Sequence, residues 1–181
     1  MMMPAKKTKT DARRSKNAAR EIVILAFCTA LIFAQQIALA GLPNIELVSF
    51  LVILYAWTFR FKSLYIIYVF VLLEGVFYGF HIWWISYLYV WTILALITIA
   101  LRAIRSPLIW AVVSGIFGLC FGALCAIPYL IMGGPAMAFA YWVSGIPFDL
   151  IHCVSNFILC LLLWKPLITL TSKLLKRDNH V

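Results

Sequence analysis

The chain has 181 residues, 65% of them hydrophobic and only 12% charged, with a mean hydropathy of +1.03. No water-soluble domain can bury so large a share of apolar side chains, so the composition excludes a soluble protein and requires an integral membrane protein. The net charge of +9 would suggest a nucleic-acid partner in a soluble chain, but here its meaning depends on where the basic residues fall.

Stretches able to cross a hydrocarbon core, about 20 residues each, can be laid down at 22–40, 45–59, 64–80, 82–101, 108–132 and 146–163. The second is short. The expected fold is all-α, with six transmembrane helices in one compact bundle, residues 21–175, between a basic tail at 1–20 and a short tail at 176–181. Seven basic residues lie between Lys6 and Arg20; Arg60 and Lys62 follow the second span, Arg102 and Arg105 the fourth, and Lys165, Lys173, Lys176 and Arg177 the sixth. Six spans put all of them on one side, which the positive-inside rule makes cytoplasmic, with both termini inside. The acids Glu46, Glu74 and Asp149 then fall towards the outer ends.

Residues 1–20 lack apolar periodicity and read as a flexible or interfacial tail. A cleavable signal ending at Ala38-Leu39-Ala40 is the competing expectation, which Glu21, the long leader and the pair Gln35-Gln36 fit poorly. In the first span, Ala26, Ala30, Ala34 and Ala38 recur every fourth residue and leave a strip of small side chains on one helix face. Such strips permit close helix approach in a bilayer, either inside the bundle or against a partner protein.

After the break at Gly41-Leu42-Pro43-Asn44, Asn44 is placed to cap the second helix with Glu46 in its first turn. Glu46 is either a dipole-stabilising carboxylate or a ligand contact near an outer cavity. Glu74 shares a face of the third helix with Tyr78 and His81. It sits too deep to face lipid in ionised form, so it points into the bundle as a helix lock or into a wet cavity.

The segment from His81 to Trp91 is the most aromatic in the chain. Trp83, Trp84, Tyr87 and Trp91 are either interfacial anchors or a stacking wall for a flat ligand. In the fifth span Ser114, Gly118, Gly122 and Ala126 form a second small-residue ladder, read as internal packing, and Pro128 is expected to kink or end it. The uncharged segment from Gly133 to Gly145, with Trp142 in it, is expected as a loop, either a lid over an outer cavity or a membrane-anchored surface loop. In the sixth span Asp149, His152 and Asn156 share a face and must find polar partners, either each other or a ligand.

Cys28, Cys120, Cys125, Cys153 and Cys160 form no CxxC pair and read as packing residues, with no metal, disulfide or cofactor expected. No phosphate-cradling GxxxxGK[ST] is present, so the chain cannot itself drive transport with ATP; no HExxH or paired-carboxylate motif points to catalysis either. The outer side carries no Lys or Arg, which disfavours ligands dominated by carboxylate or phosphate. A neutral or cationic aromatic heterocycle suits the acids and tryptophans better.

The size, the six helices with both termini inside and the ladder Ala26-xxx-Ala30-xxx-Ala34 resemble a substrate-binding S component of the energy-coupling factor (ECF) family of micronutrient transporters. The resemblance implies a non-catalytic subunit in the bacterial cytoplasmic membrane that captures a vitamin or precursor from outside. It also implies docking through Ala26, Ala30, Ala34 and Ala38 onto a membrane coupling subunit driven by two cytoplasmic ATPase subunits. The implied pocket region contains Asn44, Glu46, Trp83, Trp84, Tyr87, Trp91, Trp142, Asp149, His152 and Asn156, while Glu74 is a candidate by depth alone. The charge pattern favours pyridoxine-type vitamers, thiamine or its hydroxymethylpyrimidine precursor; cobalamin would need a wide mouth. The alternatives are a membrane enzyme using Asp149, His152 and Glu74 as acid-base groups on a lipid-like substrate, and a structural subunit whose two ladders both serve assembly.

Overall fold

The computed structural model describes residues 9–42 and 45–178, so Pro43 and the expected cap and site residue Asn44 lie outside the described residues. The helices are α1 (Lys9–Ala38), α2 (Val48–Phe59), α3 (Ser63–Tyr78), α4 (Ile82–Ala100), α5 (Pro107–Cys125) and α6 (Ile127–Asp178), with a 3-10 turn, Arg60–Lys62, between α2 and α3. No strand occurs among the described residues, as expected where backbone groups must be satisfied within each segment.

Five helical stretches are long and apolar enough to cross a membrane, Arg13–Ala38, Val48–Tyr78, Ile82–Ala100, Pro107–Cys125 and Ile127–Leu174. The expected count was six. The difference arises because α2 has only 12 residues and joins α3 through a single tight turn, so the two form one 31-residue stretch. Arg60 in that turn has φ 55, a left-handed conformation uncommon outside glycine. The chain reverses there: Val48 at the start of α2 lines a cavity with Tyr87 of α4, while Trp84, one turn before Tyr87, donates to the carbonyl of Val71 in α3 at 2.8 Å.

Other sequence expectations change at the helix ends. α1 begins at Lys9, so the second half of the stretch expected to be a tail is helical and carries exposed Arg13, Arg14, Lys16 and Arg20. The expected loop from Gly133 to Gly145 is helical apart from Gly134, whose φ of 78 and ψ of −175 divide α6 into arms 127–133 and 135–178. Only a residue without Cβ adopts that conformation cheaply, and Pro135 restarts the helix at a position where its missing N–H costs nothing. Tyr129 and Tyr141 stack across the turn at 4.1 Å, so the arms form a hairpin and Gly133 to Gly145 is no mobile lid.

The core is built from residues such as Phe50, Ile53, Ile67, Phe70, Trp91 and Leu94 on α2, α3 and α4. α5 packs against α6 most closely. A Cβ on Gly118 would lie 2.8 Å from the backbone carbonyl of His152, and one on Gly115 would lie 3.3 Å from Cβ of Phe157. The α5 ladder therefore holds internal packing, which relies on the absent side chains. α1 is peripheral: Cys28, Thr29 and Ile32 are buried, whereas Ala26, Ala30, Ala34 and Ala38 are all exposed.

At the end opposite the cavity, Arg102 donates from Nε to the carbonyl of Trp57 at 2.8 Å. The guanidinium groups of Arg102 and Arg105 stand 5.7 and 5.1 Å from the centre of the Trp57 ring. Trp164 meets Trp57 edge-on and stacks on Trp110 at 4.9 Å. Three of the seven tryptophans thus cluster at the basic end.

Candidate functional site: a carboxylate-centred aromatic cavity

Side chains fix the far end of the connection from α1 to α2. Gln35 on α1 accepts a hydrogen bond from the backbone N–H of Leu47 at 2.9 Å, while its amide donates to the carbonyl of Ile32. Glu46 precedes α2 instead of lying in its first turn, and its carboxylate receives the backbone N–H of Ser49 at 3.1 and 3.2 Å and the Ser49 hydroxyl at 2.7 Å. Two side chains thereby satisfy N–H groups that the helix start leaves open.

The same carboxylate reaches α6. His152 Nε2 lies 2.9 Å from Glu46 Oε1 and 3.5 Å from the Ser49 hydroxyl, and Phe121 of α5 sits against the imidazole at 4.9 Å in an edge-to-face contact. These groups border a cavity of about 150 Å³ whose walls include Gln36, Leu39, Leu42, Val48, Tyr87, Trp91 and Phe121. Along α4, Trp83, Tyr87 and Trp91 meet edge-to-face at 5.1 and 5.3 Å, and Trp91 also meets Phe121 at 5.5 Å. Among the described residues, no Lys or Arg lines the cavity.

With Glu46 in its carboxylate form, which only accepts, the 2.9 Å contact needs the proton on His152 Nε2, and the Ser49 hydroxyl donates to Glu46. A Ser-His-carboxylate relay needs hydroxyl and carboxylate on opposite imidazole nitrogens. Here both lie at Nε2, and Nδ1 is buried without a protein partner among the described residues. The arrangement holds a negative centre inside aromatic walls; it does not activate the serine.

Of the residues marked in the sequence, Glu46, Tyr87, Trp91 and His152 come together at the cavity, with Trp83 behind Tyr87. Asp149 is buried one turn from His152, but its Oδ1 accepts the backbone N–H of Gly122 at 2.9 Å, which turns it towards α5. Asn156 lies fully buried a turn deeper, with neither amide atom paired, and Glu74 is buried on α3 with Oε1 unpaired. None of these three borders the cavity. Trp84 locks α3 to α4 through Val71 and packs edge-on against Phe80 at 5.0 Å. Trp142 is exposed on the descending arm of α6 beside Phe139 and does not line the cavity, because the segment expected to fold over it is a rigid hairpin.

Sequence reasoning missed Gln36, Ser49 and Phe121. Gln36 had a signal, since an amide in an apolar span needs a polar destination, and Ser49 had a weaker one in its spacing of three from Glu46. Phe121 had none, as one phenylalanine in an apolar helix reads as core. No group of three or more His, Cys, Asp or Glu able to hold a metal occurs among the described residues. No protein-family model matches the chain, and no curated protein or solved structure does either.

Proposed function

We propose that the protein is the substrate-capture subunit of an ECF-type importer, embedded in a bacterial cytoplasmic membrane with six crossings and both termini inside. The observation that carries this reading is the cavity: a fixed carboxylate and an imidazole among aromatic faces, with no cation in its lining. Rings with N–H donors or positive charge gain both hydrogen bonds and cation–π attraction in such a site. Its volume of about 150 Å³ matches a cavity that holds a single benzene-sized ring. A pyridoxine-type vitamer or hydroxymethylpyrimidine therefore fits better than two-ring thiamine, and cobalamin is far too large.

Capture without catalysis agrees with the proton placement around His152, and the lack of a phosphate-binding loop assigns ATP hydrolysis to partner ATPase subunits. The reversal at Arg60 supports counting α2 and α3 as two crossings, which keeps Arg60, Lys62, Arg102 and Arg105 at one end and the cavity at the other. The exposed alanines of α1 are the surface offered to a coupling subunit.

Native mass spectrometry of protein purified from vitamin-replete cells is the test. One small molecule per chain, with coupling and ATPase subunits retained under gentle solubilisation, is the expected result. No bound metabolite, together with no heat of binding for pyridoxine, thiamine or hydroxymethylpyrimidine in calorimetry, overturns the reading.

A further inference from the structure

The charged pair Glu21–Lys62 joins α1 to the turn before α3 at the basic end of the molecule, and both side chains are about half exposed. It stands where each element changes character: α1 is polar up to Glu21 and apolar from Ile22, and the charges of Arg60–Lys62 give way to the apolar α3. That boundary marks the depth at which lipid headgroups meet hydrocarbon.

Two apolar grooves run from this pair along the outer surface. One lies between α1 and α3 and is lined by Ile22, Leu25 and Ala26; the other is shallow and runs along the open face of α3 itself, past Leu64, Tyr68 and Leu72. Tyr65 and Val69 line both grooves and form the ridge between them, and Lys62 borders both. Both depressions are apolar and open along the helices, so a hydrocarbon chain can lie along each of them. Two apolar tracks meeting at one headgroup-level charge pair match the layout of a diacyl lipid.

The pair also selects among headgroups. Lys62 offers ammonium protons to a phosphate, while Glu21 offers carboxylate oxygens to a cation with N–H donors. A purely anionic headgroup is repelled by Glu21, and a quaternary ammonium has no proton to give it. We propose that the two grooves flanking the Tyr65–Val69 ridge bind one diacyl phospholipid with a primary-amine headgroup, its phosphate on Lys62 and its ammonium on Glu21. This site is separate from the ligand cavity at the other end of the molecule, and it shares Ala26 with the alanine strip.

The experiment places the purified full chain in nanodiscs containing equal amounts of phosphatidylethanolamine, phosphatidylcholine and phosphatidylglycerol, releases it into native mass spectrometry and counts the lipids retained. Preferential retention of one phosphatidylethanolamine is expected. Glu21→Gln is expected to reduce the preference over phosphatidylcholine about fivefold, the scale of an exposed ion pair, and Lys62→Gln to weaken retention of both. Arg13→Gln and Lys16→Gln, exposed on the polar arm of α1, serve as controls for general surface charge and are expected to change nothing. Equal retention of the three lipids, a preference for phosphatidylglycerol that Glu21→Gln leaves intact, or equal effects of the control substitutions overturns the proposal. So does photocrosslinking from position 65 that yields a protein adduct in membranes and no lipid adduct.

Discussion

Glu46 is held by two donors of Ser49 and by the His152 ring, so its charge is fixed in place before any ligand arrives. Preorganised charge in a low-dielectric cavity discriminates strongly between ligands that can pair with it and ligands that cannot. Glu46→Gln keeps the shape and an acceptor for Ser49 but removes the charge. A hydrogen bond to a charged group contributes roughly 1.5–3 kcal/mol, so affinity for a donor-bearing ring is expected to fall roughly tenfold to a hundredfold. Titration calorimetry with hydroxymethylpyrimidine and pyridoxine checks this, and an unchanged affinity removes Glu46 from the site. His152→Ala removes the Glu46 partner on α6 and the face packed on Phe121, and is expected to weaken the same ligands and to lower the thermal midpoint of the free protein as well, since it empties a buried site. At this scale the sequence was most legible where chemistry was unusual for a membrane interior. An acid and a histidine in apolar surroundings had to meet something, and they meet each other. Asp149 was legible as buried but not in direction, since a backbone N–H exposed by Gly122 captured its carboxylate across a helix contact that spacing alone does not reveal.

The α5–α6 hairpin shows how an element can be correctly located and wrongly ended. Gly133, Gly134, Pro135 and Gly145 read as a loop because each opposes a helix interior. Only Gly134 departs from helical geometry, since pairing against the outer end of α5 and the Tyr129–Tyr141 stack hold the descending arm in place. Pro147 lies within the helical run of α6 and is exposed. The glycine ladder of α5 was legible for the opposite reason, as spacing of four in small residues has few other uses in a bilayer. Gly118→Ala is expected to lower stability by about 1–3 kcal/mol, the usual cost of overpacking, because the new methyl meets the His152 backbone. Gly145, with nothing within 4 Å of its Cβ position, is the matched control, and Gly145→Ala is expected to leave stability unchanged or slightly raised. Thermal melts of the detergent-solubilised variants distinguish the two; equal shifts would place the ladder outside the tight contact.

Across the whole molecule, charge divides the bundle into a basic end, sealed by Trp57, Trp110 and Trp164 under Arg102 and Arg105, and a cavity end without cations in its lining. The distribution of Lys and Arg along the chain made that division legible. The number of crossings was less so, because a 12-residue α2 is marginal as a span by length and only the reversal at Arg60 separates it from α3. The two small-residue ladders share a spacing of four; the α5 ladder, read as internal packing, is packed, while the α1 strip, open in sequence to either packing or docking, is bare. α1 buries few of its side chains and turns Ala26, Ala30, Ala34 and Ala38 outwards, while Gln35 and Gln36 face the α2 start and the cavity. A bulky side chain at the exposed Ala30 stands on the outer face of α1, where it blocks close approach by another helix. On the proposed importer reading, Ala30→Trp is expected to leave the thermal midpoint and ligand binding of the isolated protein unchanged while abolishing co-purification with a coupling subunit and uptake in cells. If ligand binding is lost together with uptake, α1 transmits the substitution to the cavity through Gln35 and the strip is not a separate docking surface. If uptake persists, the partner engages another face of the bundle, and the docking role of α1 fails while the cavity reading stands on its own measurement.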